Sequence, residues 1–483
     1  MHFSVISKVL GMLLMIFSLT LLPPMLVASI YDENTHQAFF LSFAITFSIG
    51  MAMWLPFSRN NADLRTRDGF LITVMFWLEL GIVGALPFAL VDVVHLSFTD
   101  AVFESMSGLT TTGATVITGL DILPKSILYY RQQLQWLGGI GIVVIAVAVM
   151  PMLGVGGMQL YRAETPGPVK DSKLTPRITE TAKALFIIYV TLTVTCMAAY
   201  WLAGMTFFDA LAHSFSTVAI GGFSTHDASM GFFDNNPAII SICIVFMILS
   251  GLSFGLHYYA WIRKSVSHYL RNPEAKMYLM MLLTGSILVC SYLYFSGTYN
   301  KEDSLYHGVF QLVSLMTTTG FSTDNFSAWP SFVPFLLVFF SFFGACAGST
   351  GGGIKVGRML ILAKQGIREI YRLIHPNAIF PIKVRNKHVP NRITDAIWAF
   401  FGVYLAVYYF MVLLLMASGL DYVTAWSATA ASLNNLGPGL GEVASHYGDI
   451  NTFAKWVLCS GMILGRLEIF TLLVLFTPMF WRR

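Results

Sequence analysis

Charged side chains are scarce in this sequence. Asp, Glu, Lys and Arg make up 11% of its 483 residues, against about 25% in ordinary soluble domains. With 56% of residues hydrophobic, a large soluble enzyme is excluded and a polytopic membrane protein is implied. Cysteine is equally sparse. Cys196, Cys243, Cys290, Cys346 and Cys459 all lie in apolar stretches, which argues against a disulfide framework or a thiolate metal site and leaves them as small buried hydrophobes. No basic run is interleaved with aromatics, so nucleic acid is not an expected partner. The net charge of +4 is too mild to identify a partner by itself.

What the sequence does have is long apolar runs. Ten are long enough to cross a hydrocarbon core of roughly 30 Å: Phe3–Ile30, Gln37–Phe57, Phe70–Val91, Leu134–Leu153, Leu185–Met205, Ile239–Ile262, Met277–Phe295, Phe332–Leu362, Ala396–Leu420 and Trp456–Phe480. The first is too long for a signal-peptide core and lacks a clear cleavage site, so it is expected to remain as a span. Ten crossings place both termini on one side. Sorted on that topology, 24 of the 29 Lys and Arg fall on the side of the termini, nine of them in Lys355–Arg392. The other five are Lys125, Arg131, Lys301, Lys455 and Arg466. The positive-inside rule then puts both termini in the cytoplasm.

One short device occurs four times between these runs, a polar turn centred on glycine. The aligned glycines are Gly113, Gly222, Gly320 and Gly437, spaced 109, 98 and 117 residues apart. Before each lies a short amphipathic segment. Asp100–Thr112 and Asp209–Gly221 are 13 residues each, rising only about 20 Å as helix, so they must dip in and return. Asp100 and Asp209 are expected as N-caps in register. His307 and Thr424 hold the same offset in the later copies, where capping is expected to be weaker or shifted. The unit is span, half-helix, glycine turn, span. Two crossings per unit give all units one orientation, unlike inverted-repeat transporters. The fold expected is therefore all-α: four parallel repeats around a pseudo-fourfold pore, after two leading helices. The expected divisions are 1–66 for the leading helices and 67–157, 158–264, 265–372 and 373–483 for the repeats.

Irregular backbone at membrane depth is tolerated only where it is buried in protein or lines a water-filled path. Four such turns around one axis can offer main-chain carbonyls in place of a cation's water. Four half-helix C-terminal ends add roughly half a negative charge each. The turns contain no Asp or Glu, which favours a large monovalent cation over a divalent one. A single glycine turn would be read as packing; four in register favour a filter.

The motifs resemble the Trk/Ktr/HKT potassium transporters over essentially the whole chain: Ser107–Thr115, Gly221–His226, Gly344–Gly353, Asn434–Gly439 and the tail Gly465–Glu468. The resemblance implies potassium uptake across the bacterial inner membrane by a homodimer with one pore per subunit. It also implies a cytosolic TrkA-type partner that carries the nucleotide, with no cofactor on this chain. Potassium would be held by carbonyls of the two residues before each glycine: Thr111 and Thr112, Ile220 and Gly221, Thr318 and Thr319, Asn435 and Leu436. Each loop has one aligned glycine, not the TVGYG of tetrameric channels, and the second and fourth loops depart from the threonine pattern.

A gate is also expected. Gly344–Gly353 holds five glycines, each costing a helix about 1 kcal/mol against alanine, so the span Phe332–Leu362 should break there. The gate residues expected are Gly348, Gly351, Gly352, Gly353 and Arg466. Ser349 and Arg466 each lie 29 residues after their aligned glycine, at similar depth. Arg466 is read either as an electrostatic barrier to cations or as a staple pairing with a helix end or a Glu. The basic loops Arg162–Lys183, Arg263–Lys276 and Lys355–Arg392 are long enough to dock a partner. Gly251–Gly255 matches a nucleophile-elbow pattern without the strand-to-helix context, and Gly348–Lys355 only imitates a phosphate loop. Glu104 and His213, both nine residues before their glycines, are read as hydrogen-bonded structural groups. The alternative function is a secondary transporter coupled to protons or sodium; it needs a series of buried carboxylates, and only Glu79 and Glu468 stand within spans.

Overall fold

The structure, a computed structural model, describes residues 1–60, 64–148, 178–384 and 387–482. Most of the expected docking loop Arg162–Lys183, the end of the expected span Leu134–Leu153 and the boundary between the first two repeats lie outside the described residues. Apart from one two-stranded hairpin pairing Lys383–Val384 with Lys387–His388, the regular elements of the described residues are helices. Among the described residues six helices are long and apolar enough to cross a bilayer: Phe3–Ile30, His36–Phe57, Arg67–Leu90, Ala182–Leu202, Pro273–Phe295 and Asn391–Ala417.

The remaining four of the ten expected stretches are less regular. One, Leu134–Leu153, starts nine residues inside the helix Lys125–Ala148. The other three are broken. Pro237–Gly251 turns through 95° into Phe254–Ile262, and Thr452–Arg466 turns through 107° into Phe470–Phe476. Both were expected as single straight spans. The third break was expected: helix Phe332–Phe343 stops, residues 344–355 are non-helical, and Val356–Ile374 resumes.

The half-helices are Phe98–Leu109, Phe207–Ala219, Lys301–Thr317 and Tyr422–Leu433. Their caps correct the sequence reading. Ser97 accepts from the Asp100 backbone N–H and Thr206 from that of Asp209, so both Asp side chains stand at the third helical position rather than at the cap. There their charge still favours the positive helix end. Asp421 caps the fourth half-helix and Asn300 the third. Ser97, Thr206 and Asp421 lie sixteen residues before their glycines and Asn300 lies twenty, so the third half-helix is one turn longer.

Each half-helix packs between the spans of its own unit, and the fourth unit's Thr452–Arg466 packs against the first half-helix, Phe98–Leu109. The bundle is thereby closed. The termini meet at one end of it: the His2 backbone N–H donates to Asp68 (3.3 Å), and the Arg67 guanidinium donates to the Arg482 carbonyl (2.5 Å).

Candidate functional site

All four half-helices end the same way. The residue two before each aligned glycine is left-handed: Thr111 (φ 57°), Ile220 (55°), Thr318 (68°) and Asn435 (54°). The next residue donates its N–H to the carbonyl five back, Thr112 to Ser107 (2.9 Å), Gly221 to Ser216, Thr319 to Ser314 and Leu436 to Ala431 (2.8 Å each). This is the Schellman closure of a helix, normally made with glycine at the left-handed position. A side chain there costs roughly 1 kcal/mol, and here it is borne four times. The aligned glycines follow with φ of 81°, 80°, 85° and 94°.

The loops meet in a closed ring. A β-carbon on Gly113 would lie 2.1 Å from the Gly221 carbonyl oxygen; on Gly222, 2.0 Å from that of Thr319; on Gly320, 2.1 Å from that of Leu436; and on Gly437, 2.7 Å from that of Thr112. Each glycine therefore touches the carbonyl before the glycine of the next loop, and the fourth returns to the first. At the first three positions only glycine allows that approach, and at Gly437 a side chain would need a smaller shift. A closed ring of neutral backbone at the end of four half-helices is an arrangement able to substitute for the water around a cation.

Side chains behind the ring hold it. Gln135 donates to the Gly221 carbonyl (2.5 Å) and accepts from the Phe223 N–H (3.1 Å). One turn away Arg131, buried, pairs with buried Glu104 (2.8 Å), donates to the Ser224 carbonyl (3.0 Å) and stacks on Phe223. Glu104 also takes the Val116 N–H and the Thr115 hydroxyl. His213 meets the Asp209 carbonyl and the Ser224 hydroxyl at 2.9 Å each. Glu104 and His213 are thus hydrogen-bonded structural groups, as expected. In the fourth loop Asn435 donates to the Thr112 hydroxyl and the Met462 carbonyl (3.0 Å each), and Tyr447 to the Gly437 carbonyl (2.7 Å).

At the mouth, His226 joins the first two units. Its Nδ1 lies 2.5 Å from an Asp121 oxygen and its Nε2 3.6 Å from an Asp209 oxygen. Burial opposes the imidazolium, but the two carboxylates outweigh it and raise the pKa above its ordinary value.

The expected gate residues converge on the other face of the ring. Residues 350–353, called the plug here, touch three of the loops. The Thr350 hydroxyl donates to the Val218 carbonyl (3.0 Å), the Gly352 N–H to the Thr318 hydroxyl (2.7 Å), and the Gly353 N–H to the Asn434 carbonyl (3.1 Å). Arg466 covers the remaining loop, donating to the Thr111 hydroxyl (3.2 Å), the Thr350 carbonyl (3.4 Å) and the Gly138 carbonyl, with the Trp77 ring beside it. Gly348 sits at the edge, φ 77°, with its carbonyl taken by the Phe254 N–H (2.9 Å). Glu468 pairs with Arg358. The five cysteines are free and buried.

Sequence reasoning missed Arg131, Gln135 and Tyr447. The first two carried a signal: polar residues four apart at the entry to an apolar span share one face if the helix starts before it.

The chain matches the family model for TrkH, described as a cation transport protein, over residues 35–483. It is 56% identical to the "Trk system potassium uptake protein TrkH" of Halomonas elongata and 51% identical to that of Escherichia coli K12, with full coverage of both chains in each case. A solved structure, the potassium transporter TrkH from Vibrio parahaemolyticus, superposes with a TM-score of 0.91 at 50% identity, again covering all of both chains.

Proposed function

This chain belongs to the TrkH cation transport family, and from that premise we propose that it takes up potassium through the ring of glycine loops, under control of the plug and Arg466. The observation that carries the proposal is the ring itself, four glycine-to-carbonyl contacts that return to their start. In this reading the ion is held by carbonyls of Thr111 and Thr112, Ile220 and Gly221, Thr318 and Thr319, and Asn435 and Leu436. Gly221 is the poorest member, because its oxygen is shared with Gln135. The ring is neutral, which suits a monovalent ion that sheds water readily.

The plug closes the path. Gly351, Gly352 and Gly353 lie against the ring, Gly348 joins the plug to the neighbouring span, and Arg466 adds a positive charge where a cation must leave. The same reading makes the protein a bacterial inner-membrane homodimer with both termini cytoplasmic. It also assigns it a TrkA-type nucleotide-binding partner, whose state reaches the plug through Lys355–Arg392. The helix Val356–Ile374, directly continuous with the plug, supports that route. The test is single-channel recording from the purified protein in planar bilayers. Discrete potassium-carrying openings are expected. Proton- or sodium-coupled flux without openings would replace the channel reading by the coupled-transporter one.

A further inference from the structure

The plug is gripped from a side that the reading above does not use. Glu274 stands in the first turn of Pro273–Phe295, but it does not cap that helix; Asn272 accepts the N–H groups of Glu274 and Ala275. The Glu274 carboxylate instead faces the broken span. One of its oxygens accepts the Ala347 N–H (2.7 Å) and the Gly357 N–H (3.0 Å). These donors stand on either side of the plug, so a single oxygen ties its two ends together. A β-carbon on Gly357 would come within 2.8 Å of that oxygen, so a side chain there would push the carboxylate aside.

A second grip comes from the break in the neighbouring span. The Cys346 N–H donates to the Gly251 carbonyl and the Phe254 N–H to the Gly348 carbonyl, both at 2.9 Å. The sequence Gly251–Gly255, which only imitated an enzyme motif, is the seat into which the loop folds. Both grips belong to one continuous segment, residues 251–274. His257 stiffens it by meeting the Tyr269 hydroxyl at 2.8 Å and the Leu249 carbonyl at 2.9 Å.

We propose that Glu274 is a positioning residue that latches the plug in its seat by holding the Ala347 and Gly357 amides. This deepens the proposed function and rests on the plug obstructing the path. A carboxylate accepting two amides in a buried site makes charge-assisted bonds. Losing them shifts the balance between seated and unseated plug by roughly tenfold.

The experiment uses the full-length protein with two readouts. In bilayers without partner, Glu274→Ala is expected to raise open probability about tenfold with unitary conductance unchanged. Wild-type conduction with an unaltered open probability in Glu274→Ala would overturn the latch and leave the conduction reading standing. The second readout needs no current. Cys346 is buried inside the loop, so its modification by a thiol reagent reports unseating, with Cys346→Ser as the blank. Glu274→Ala is expected to speed it about tenfold; an unchanged rate overturns the latch even if the protein carries no potassium. If Glu274→Ala folds poorly, Glu274→Gln keeps the volume with an uncharged acceptor and is expected to raise both readouts about threefold. Wild-type values for Glu274→Gln would likewise overturn the proposal.

Discussion

Replacing the ring glycines by alanine, one at a time, tests the ring by rank order. On Gly222 the added β-carbon would stand 2.0 Å from the Thr319 oxygen, and on Gly113 and Gly320 2.1 Å from their neighbours. Real β-carbon contacts essentially begin near 3.0 Å, so these loops must part by about 1 Å. On Gly437 the gap is 2.7 Å, and a few tenths of an ångström suffice. Every site also pays the left-handed strain of a side chain, about 1 kcal/mol. Overpacking adds about 1–3 kcal/mol at the three tight sites. The total, about 2–4 kcal/mol, disfavours the native ring by roughly 30- to 1,000-fold. The assay is rubidium uptake into proteoliposomes with the potassium-to-sodium permeability ratio measured alongside. Gly113→Ala, Gly222→Ala and Gly320→Ala should lose selectivity or flux, while Gly437→Ala keeps most of both. Gly402 has open space around its position and ordinary φ, and Gly402→Ala serves as the control. Wild-type selectivity in Gly222→Ala, or Gly437→Ala proving the most damaged of the four, would refute the reasoning.

Three further outcomes are expected. Arg466→Ala should increase potassium flux in a well-folded protein, since it removes both the charge and the bonds to Thr111 and Thr350; unchanged or reduced flux would rule out the barrier and leave a staple. Arg131→Met should cost about 3–5 kcal/mol, read by thermal unfolding in detergent, because it strands buried Glu104; Arg131→Met with Glu104→Gln should recover most of the loss, and a single-mutant cost under about 1 kcal/mol would contradict the brace. His226 has a raised pKa, so its charged form stabilises the fold at low pH, and that contribution fades as pH climbs past about 6.5 and through the raised value. The melting temperature of the wild type should therefore fall over that window more than that of His226→Gln, and parallel curves would exclude the link.

The parts of the site legible in the sequence were those written in local chemistry. A glycine that must adopt positive φ, a threonine-rich turn and five glycines inside an apolar run each report a backbone requirement of their own neighbourhood, so the four loops and the broken third span could be read off. Arg466 was legible because a lone charge in an apolar run is conspicuous, and its equal spacing with Ser349 placed it against the plug. The caps were misread by three residues: Ser97 and Thr206 accept the amides, while the Asp of each pair is the more visible polar residue. The bends after Gly251 and Arg466 were missed because hydropathy is the same for straight and broken helices. In the first case what stabilises the bend is the opposing loop. Glu274 was illegible for a similar reason. Its partners lie more than seventy residues away, and nothing in its own helix marks it.

The seating of the non-helical stretch 344–355 in the break of the neighbouring span has a consequence for hydration. In this structure the peptide groups exposed by two interrupted helices cover each other, Cys346 with Gly251 and Phe254 with Gly348. Buried amides and carbonyls cannot be left bare without a cost of about 1–3 kcal/mol each. On the gating proposed above, a loop that leaves its seat gives these groups up to water. Opening and wetting would then be one event, because the four peptide groups that hold the loop seated are the ones hydrated on release.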